Sequence, residues 1–173
     1  PQVFHLPGRG FMHLFTIYQP GRELFFRTSA DGIRWNPKRQ LADMQGHYQC
    51  TWRSGNKVGT MFNRHPGRGV DERTDLFYLQ TTDFGTTWTT ADGTPVRLPV
   101  TSETSRCSVF DYSGADKLVY FGNTGFTDGS TDDVLVPLPI GPATRIEFRR
   151  HESIELLRRL VIVGVHARRA AIR

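Results

Sequence analysis

His47 and Tyr48 stand side by side, Asn63, Arg64 and His65 follow as a triplet at the head of NRHPGRGVDERT (63–74), which also carries Asp71, Glu72 and Arg73, and Arg106 comes later. Histidine and tyrosine exchange protons near neutral pH when their surroundings shift their pKa, and arginine grips a carboxylate through paired N–H···O bonds. Such a set suits an acidic sugar. His47, Tyr48, His65 and Arg73 have the chemistry for proton transfer beside a carboxylate, with Asn63, Arg64 and Arg106 as substrate contacts. A structural reading competes with this one. In it, His47 only hydrogen-bonds a neighbouring layer of the fold, and Arg73 only pairs with Asp71 or Glu72 in a solvated cluster.

These residues have to be positioned by something, and the clearest local signal is TTDFGTTW (81–88). Asp-x-Gly is turn chemistry: the Asp83 carboxylate can accept bonds from backbone N–H groups ahead of it, and Gly85 can take a positive φ. The octet follows DLFYLQ (75–80), a run typical of a strand, and Trp88 is large enough to fold back over the turn. It offers no nucleophile or base, so it reads as scaffold.

Shifting the chain by 52 positions lays Glu23 to Asp31 on Asp75 to Asp83, after which Gly32 and Trp35 answer Gly85 and Trp88. A Gly turn leading into a strand also recurs, in GRGFMHLF (8–15), GNKVGTMF (55–62) and GADKLVYF (114–121). Repetition at a period of roughly 20–50 residues decides architecture before any other argument does. The chain holds two and a half units.

TTDFGTTW and its counterpart SADGIRW (29–35) resemble the Asp-box of bacterial neuraminidase repeat proteins, the sialidase-like β-propellers. Residues from about 2 to 125 resemble a branch of that superfamily that includes uncharacterised secreted proteins and ulvan-type polysaccharide lyases. The resemblance implies an all-β fold of four-stranded blades, with Ser29, Asp31, Gly32, Trp35, Thr81, Asp83, Gly85, Thr87 and Trp88 as structural box residues. It also implies an extracellular or periplasmic location. At about 50 residues per blade, a closed ring needs several more blades than 173 residues supply, so the chain is expected to be part of a larger propeller.

Strands of a blade run up and down, which sorts the turns by face. The short Gly turns, such as SGNK (54–57), join first to second strands and the boxes join third to fourth, so both lie on one face. The opposite face receives the starts of the innermost strands, expected at HYQCTWR (47–53) and RCSVFDY (106–112), and the loop at 63–74. All seven candidate site residues then meet at one mouth. Long loops over a rigid scaffold are where binding and catalysis concentrate.

The net charge of +5 is the charge of residues 141–173 alone, which hold eight arginines against three glutamates. Phe148 is the lone Phe, Tyr or Trp among these arginines and makes no series of stacking platforms, so a nucleic-acid partner is not expected. The tail also breaks the repeat: TDDVLVPLPIGP (131–142) has neither Gly nor Trp where a third box is due, and from Ser153 the spacing of Ile154, Leu157 and Val161 turns helical. A divergent terminus, a packing helix and a misread end of an Arg-rich gene are the alternatives, and the last is favoured. The division expected is therefore blades over 1–140 and an Arg-rich tail over 141–173. LVIVGV (160–165) is the longest near-candidate for a membrane span and falls far short of the roughly 20 residues needed.

Two cysteines, Cys50 and Cys107, cannot make a zinc site alone; both are expected on inner strands with side chains of one parity, either meeting between blades or, the favoured state, as buried free thiols. GRG at 8–10 and 67–69 lacks a following helix, so no nucleotide cofactor is expected, and none of any other kind. His13 alternates with Met12 and Leu14 in a strand and carries no site signal of its own. Against the hydrolase branch of the resembled superfamily, no Tyr-Glu nucleophile pair or complete arginine triad can be assigned. A lyase removing the proton next to a uronate carboxylate needs a His or Tyr base, a Tyr or His acid and a neutralising Arg, which His47, Tyr48, His65 and Arg73 match more closely. Lyase-type or hydrolase-type action on an acidic polysaccharide is the expectation, with a non-catalytic glycan-binding or structural propeller as the alternative.

Overall fold

The computed structural model of the chain describes residues 1–18, 21–68 and 72–111, together with strand backbones at 125–126, 134–137 and 145–148. Two four-stranded antiparallel meanders dominate it. The first contains β1 (Gln2–Leu6), β2 (Gly10–Ile17), β3 (Glu23–Ser29) and β4 (Arg39–Ala42) in that order, and the second β5 (Gln49–Ser54), β6 (Lys57–Arg64), β7 (Thr74–Thr81) and β8 (Ser108–Phe110). The fold is all-β, and the two sheets are consecutive blades of propeller type. Backbone strands β9 (Gly125–Phe126), β10 (Val134–Pro137) and β11 (Arg145–Phe148) form a third sheet, in which β10 lies between the other two.

Period-2 patterning explains how the blades stack. In β2, Met12 and Leu14 are buried, while Phe11, His13 and Phe15 point to the other face and are half-buried. Leu6, Leu24, Phe26 and Leu41 join Met12 and Leu14 in one core with Val58, Phe62, Phe77, Leu79 and Trp88 of the second sheet. Each such side chain contributes about 1.5–3 kcal/mol when it leaves water. Nearly every residue of β6 and β7 is buried, as befits a sheet covered on both faces. The inner edges are tied by the Gln2 amide, whose Nε2 donates to the Thr51 carbonyl at 3.1 Å while its Oε1 accepts the Thr51 N–H at 2.8 Å.

Both box turns have the expected bonding. Asp31 Oδ1 accepts the N–H groups of Ile33 and Arg34 at 2.8 Å each, and Asp83 accepts the Thr87 N–H at 2.9 Å and its hydroxyl at 2.6 Å. Ser29 Oγ and Thr81 Oγ1 accept from Gly32 and Gly85 N–H at 2.8 and 3.0 Å. Gly85 is required twice over: its φ is 83°, and a Cβ there would lie 2.5 Å from Phe26 Cε2. Trp88 is buried against Phe26 of the first sheet, ring centroids 5.2 Å apart. Trp35, its counterpart, stays half-buried on the outer face of the first sheet, where its Nε1 donates to the Gly32 carbonyl at 3.1 Å.

One expectation is corrected. Ser108–Phe110, expected inside an innermost strand, is the fourth strand of the second sheet and pairs with β7. The chain between Trp88 and β8 explains this: Thr89 takes up the pairing with Gln80 directly after the box, and a long connection follows before β8 begins. The cysteines therefore belong to opposite edges of one sheet, since three strand spacings of roughly 4.8 Å each separate β5 from β8. Both are free thiols, and burial pushes the Cys50 thiol up to about 11 and raises that of Cys107. The third Gly turn (114–121) and the helical pattern from Ser153 lie outside the described residues. Among those described, no helix is long and apolar enough to cross a membrane.

Candidate active site

The face opposite the boxes is built from the β2–β3 loop, the β4–β5 link and the β6–β7 loop, and Asn63 at the end of β6 organises it. Asn63 is 1 % exposed. Its backbone carbonyl is 2.7 Å from His47 Nδ1, and its side-chain Oδ1 accepts the Tyr48 N–H at 3.0 Å and lies 3.1 Å from His65 Nε2. Because Oδ1 accepts a backbone N–H, the orientation of the amide is fixed, and His65 must donate to it through Nε2–H.

His47, Tyr48, Asn63, His65 and Arg73 are brought together as expected. The Tyr48 and His65 rings lie 4.9 Å apart at 44°, and the Arg73 guanidinium sits 4.4 Å from the Tyr48 ring centroid. Tyr48 and Arg73 are half-exposed, whereas both histidines have no exposed surface. A ligand approaching this mouth meets the phenol and the guanidinium first.

His47 is placed differently from the role expected of it. Its Nε2 accepts the Met44 N–H at 3.1 Å while Nδ1–H donates to the Asn63 carbonyl, so both ring nitrogens are used by the backbone. Burial holds its pKa down at about 4, against the opposing effect of the Asn63 bond, with the Arg64 charge adding to the lowering. The imidazole is neutral and ties the β4–β5 link to β6, which leaves no face for proton exchange with a sugar. Arg64 is also committed: its Nε lies 3.0 Å from Asp75 Oδ2 and its Nη1 3.4 Å from Glu103 Oε2.

Arg106 is not at this mouth. It is exposed and lines a cavity of about 1130 Å³ on the outer side of the second sheet, with Tyr78, Asp92, Ser105 and Phe110. Arg64 and Asp75 also reach that cavity. The tyrosine and histidine of the mouth do not line it. The shift of Arg106 follows from β8 being an outer rather than an inner strand.

Arg22 is the residue that the sequence reading missed. It sits in the β2–β3 loop of the first sheet, its Nη1 is 3.4 Å from His65 Nδ1, and its guanidinium lies 5.8 Å from the ring centroids of both Tyr18 and Tyr48. Its carbonyl accepts the His47 N–H at 2.8 Å. A signal existed: Arg22 falls in the same loop of the first unit as the candidates do in the second. Among the described residues no group of three or more His, Cys, Asp or Glu could hold a metal ion.

The fold and this mouth define an all-β protein of propeller-blade construction with a Tyr, His and Arg cluster on one face. No protein-family model matches the chain, and no curated protein does. It is similar to two solved structures of an ulvan lyase of polysaccharide lyase family PL25, one of them bound to -[GlcA(1-4)Rha3S]-. Each superposes with a TM-score of 0.62 and 14 % identity over 88 % of this chain, which spans 41 % of the other's length. At that identity the likeness is one of fold.

Proposed function

We propose that the chain belongs to a carbohydrate-active propeller that cleaves an acidic polysaccharide by elimination. The observation that carries this reading is Tyr48, half-exposed at the mouth with His65 against one side of its ring and the Arg73 guanidinium 4.4 Å from the centroid. The PL25 ulvan lyases, which share the fold, support it.

In such an elimination a base takes the proton at C5 of a uronate, the C–H electrons form a C4=C5 bond, and the C4–O bond breaks with its electron pair. The leaving oxygen takes up a proton. An arginine beside the carboxylate stabilises the charge that builds there. Tyr48 is the proton-transfer group of this proposal, Arg73 the neutralising cation, His65 the partner behind the phenol, and Asn63 the residue that fixes both. His47 and Arg64 position the loops. Arg106 has no part at this mouth. The sialidase-like family, the further blades of a closed ring and an extracytoplasmic location belong to the same proposal.

A second reading has its own support. Both histidines are fully buried, with each ring nitrogen already in contact with a partner, which favours a mouth that binds an acidic glycan without turnover. Incubation with uronate-containing polysaccharides separates the two. Elimination yields an unsaturated sugar absorbing in the near ultraviolet, and Tyr48→Phe is expected to reduce its formation by at least 100-fold with melting unchanged. Reducing sugar without that absorbance identifies a hydrolase, and retention of the polysaccharide without product a binding propeller.

A further inference from the structure

We propose that Arg22 is the anion-responsive residue of this mouth: its guanidinium covers Nδ1 of His65 in the free protein, and an acidic substituent of a sugar draws it away and uncovers that nitrogen. The inference deepens the glycan reading above and rests on it for the choice of ligand.

Proton bookkeeping fixes the resting state. A guanidinium carries only donors, so His65 Nδ1, 3.4 Å from Arg22 Nη1, must be the acceptor. The ring proton is then on Nε2 and goes to Asn63 Oδ1 at 3.1 Å. The one lone pair of His65 that could take a proton is thus the one Arg22 occupies. A donor–acceptor distance of 3.4 Å is long against the usual 2.9–3.0 Å, so this contact is a weak one.

The charge of Arg22 is uncompensated among the described residues. Among the described residues Arg22 makes no ion pair with a carboxylate; it faces an imidazole and two aromatic rings. It is half-buried, so water screens it incompletely. A carboxylate or sulfate ester can take two parallel N–H···O bonds from the same fork, a stronger arrangement than one long bond to a neutral nitrogen. An anion therefore outcompetes His65 for Arg22.

The loop holds Arg22 for this purpose. Its φ is 58°, a left-handed conformation that non-glycine residues rarely adopt, and its carbonyl accepts the His47 N–H at 2.8 Å. The backbone is pinned, while the guanidinium is held only by one long hydrogen bond and two ring faces. Tyr18, 61 % exposed and 5.8 Å from the guanidinium, supplies an aromatic surface for the sugar that carries the anion.

The test uses the full chain and side-chain nitrogen NMR of His65. Free protein is expected to show a neutral ring protonated at Nε2. Titration with sodium glucuronate, and separately with a sulfated neutral monosaccharide, is expected to move the Nδ1 resonance and leave Nε2 near its starting position, and the arm that responds names the anion. A neutral monosaccharide should move neither. Arg22→Asn, which tolerates the positive φ, should weaken the responding anion at least tenfold and abolish the Nδ1 shift, and Arg22→Lys should restore part of the affinity.

If neither anion moves Nδ1, or if Arg22→Asn binds as tightly as the native chain, the proposal is wrong. A native chain that forms unsaturated product with a KM unaffected by Arg22→Asn also overturns it, and leaves the lyase reading intact. An Arg22-dependent anion response in a chain with no turnover sustains this proposal and removes the catalytic one.

Discussion

His47 and His65 lie in the same buried cluster and are held by different groups. His47 gives both nitrogens to main-chain partners, Met44 N–H and the Asn63 carbonyl, and is a structural pin. The ring nitrogens of His65 contact side chains, those of Arg22 and Asn63, and side chains can move away. The difference has a consequence in pH. The unfolded chain protonates His47 at about 6.5, whereas the native ring resists until about 4, so the unfolded state binds more protons throughout that interval. Stability is full above 6.5 and falls as pH falls towards 4. By linkage the loss amounts to roughly 3 kcal/mol, and urea titrations of the native chain and of His47→Gln should converge across that window. Curves that stay parallel would mean that His47 is not held neutral. Tyr48, Asn63, His65 and Arg73 were legible as one cluster because strand topology alone sends their loops to one face. The commitment of His47 was not legible, since its partner Met44 comes from the β4–β5 link and only the folded chain shows where that link runs.

Between residues and the whole chain stand the box turns, which the sequence specifies by local chemistry alone. A hydroxyl, an Asp, a Gly and a Trp at set offsets close on one another without help from distant segments, which is why both copies have the expected bonds. Asp83 illustrates the balance. Burial works against its carboxylate, but the Thr87 hydroxyl and N–H and the Thr81 hydroxyl outweigh that and hold its pKa below 3.8. A depressed carboxylate stabilises the fold above its unfolded pKa, and that contribution is lost as pH falls below about 3.8. Removing the acceptor in Asp83→Ala should destabilise the fold by about 1–2 kcal/mol, after allowance for solvent screening, with glycan retention unchanged. Normal melting with loss of glycan would refute the scaffold role. The connection after the second box was not legible. The 52-residue repeat implied that Arg106 opens an inner strand, and the only alternation between Trp88 and β8, at Val96, Leu98 and Val100, is interrupted by Pro95 and Pro99, so nothing in it announced how far the fourth strand is delayed.

Across the molecule, the two sheets share one core, and Trp88 is the side chain that joins them. It belongs to the second box but packs against Phe26 of β3, and the Gly85 carbonyl beside it accepts from Arg39 Nη1 at 2.7 Å. The outer face of the first sheet repeats the pattern with Trp35: Arg27 lies 4.8 Å from its ring centroid, and His13, whose Nδ1 accepts from Arg27 Nε at 3.2 Å, is 5.7 Å away. Burial and then the Arg27 charge lower the pKa of His13, so this surface too is built around a neutral imidazole. A core shared between sheets predicts shared unfolding. Trp88→Ala should cost about 3–5 kcal/mol, because a buried indole leaves a cavity that rigid strands on both sides cannot close. Amide exchange should then accelerate in β2 and β3 as well as in β6 and β7, by similar factors. Loss of protection confined to β6 and β7 would show that the blades are separate folding units, and that the mouth between the Arg22 loop and the β6–β7 loop is held by its own bonds alone. Equal loss in both sheets would mean that the geometry around Tyr48 depends on a tryptophan buried in the core between the blades.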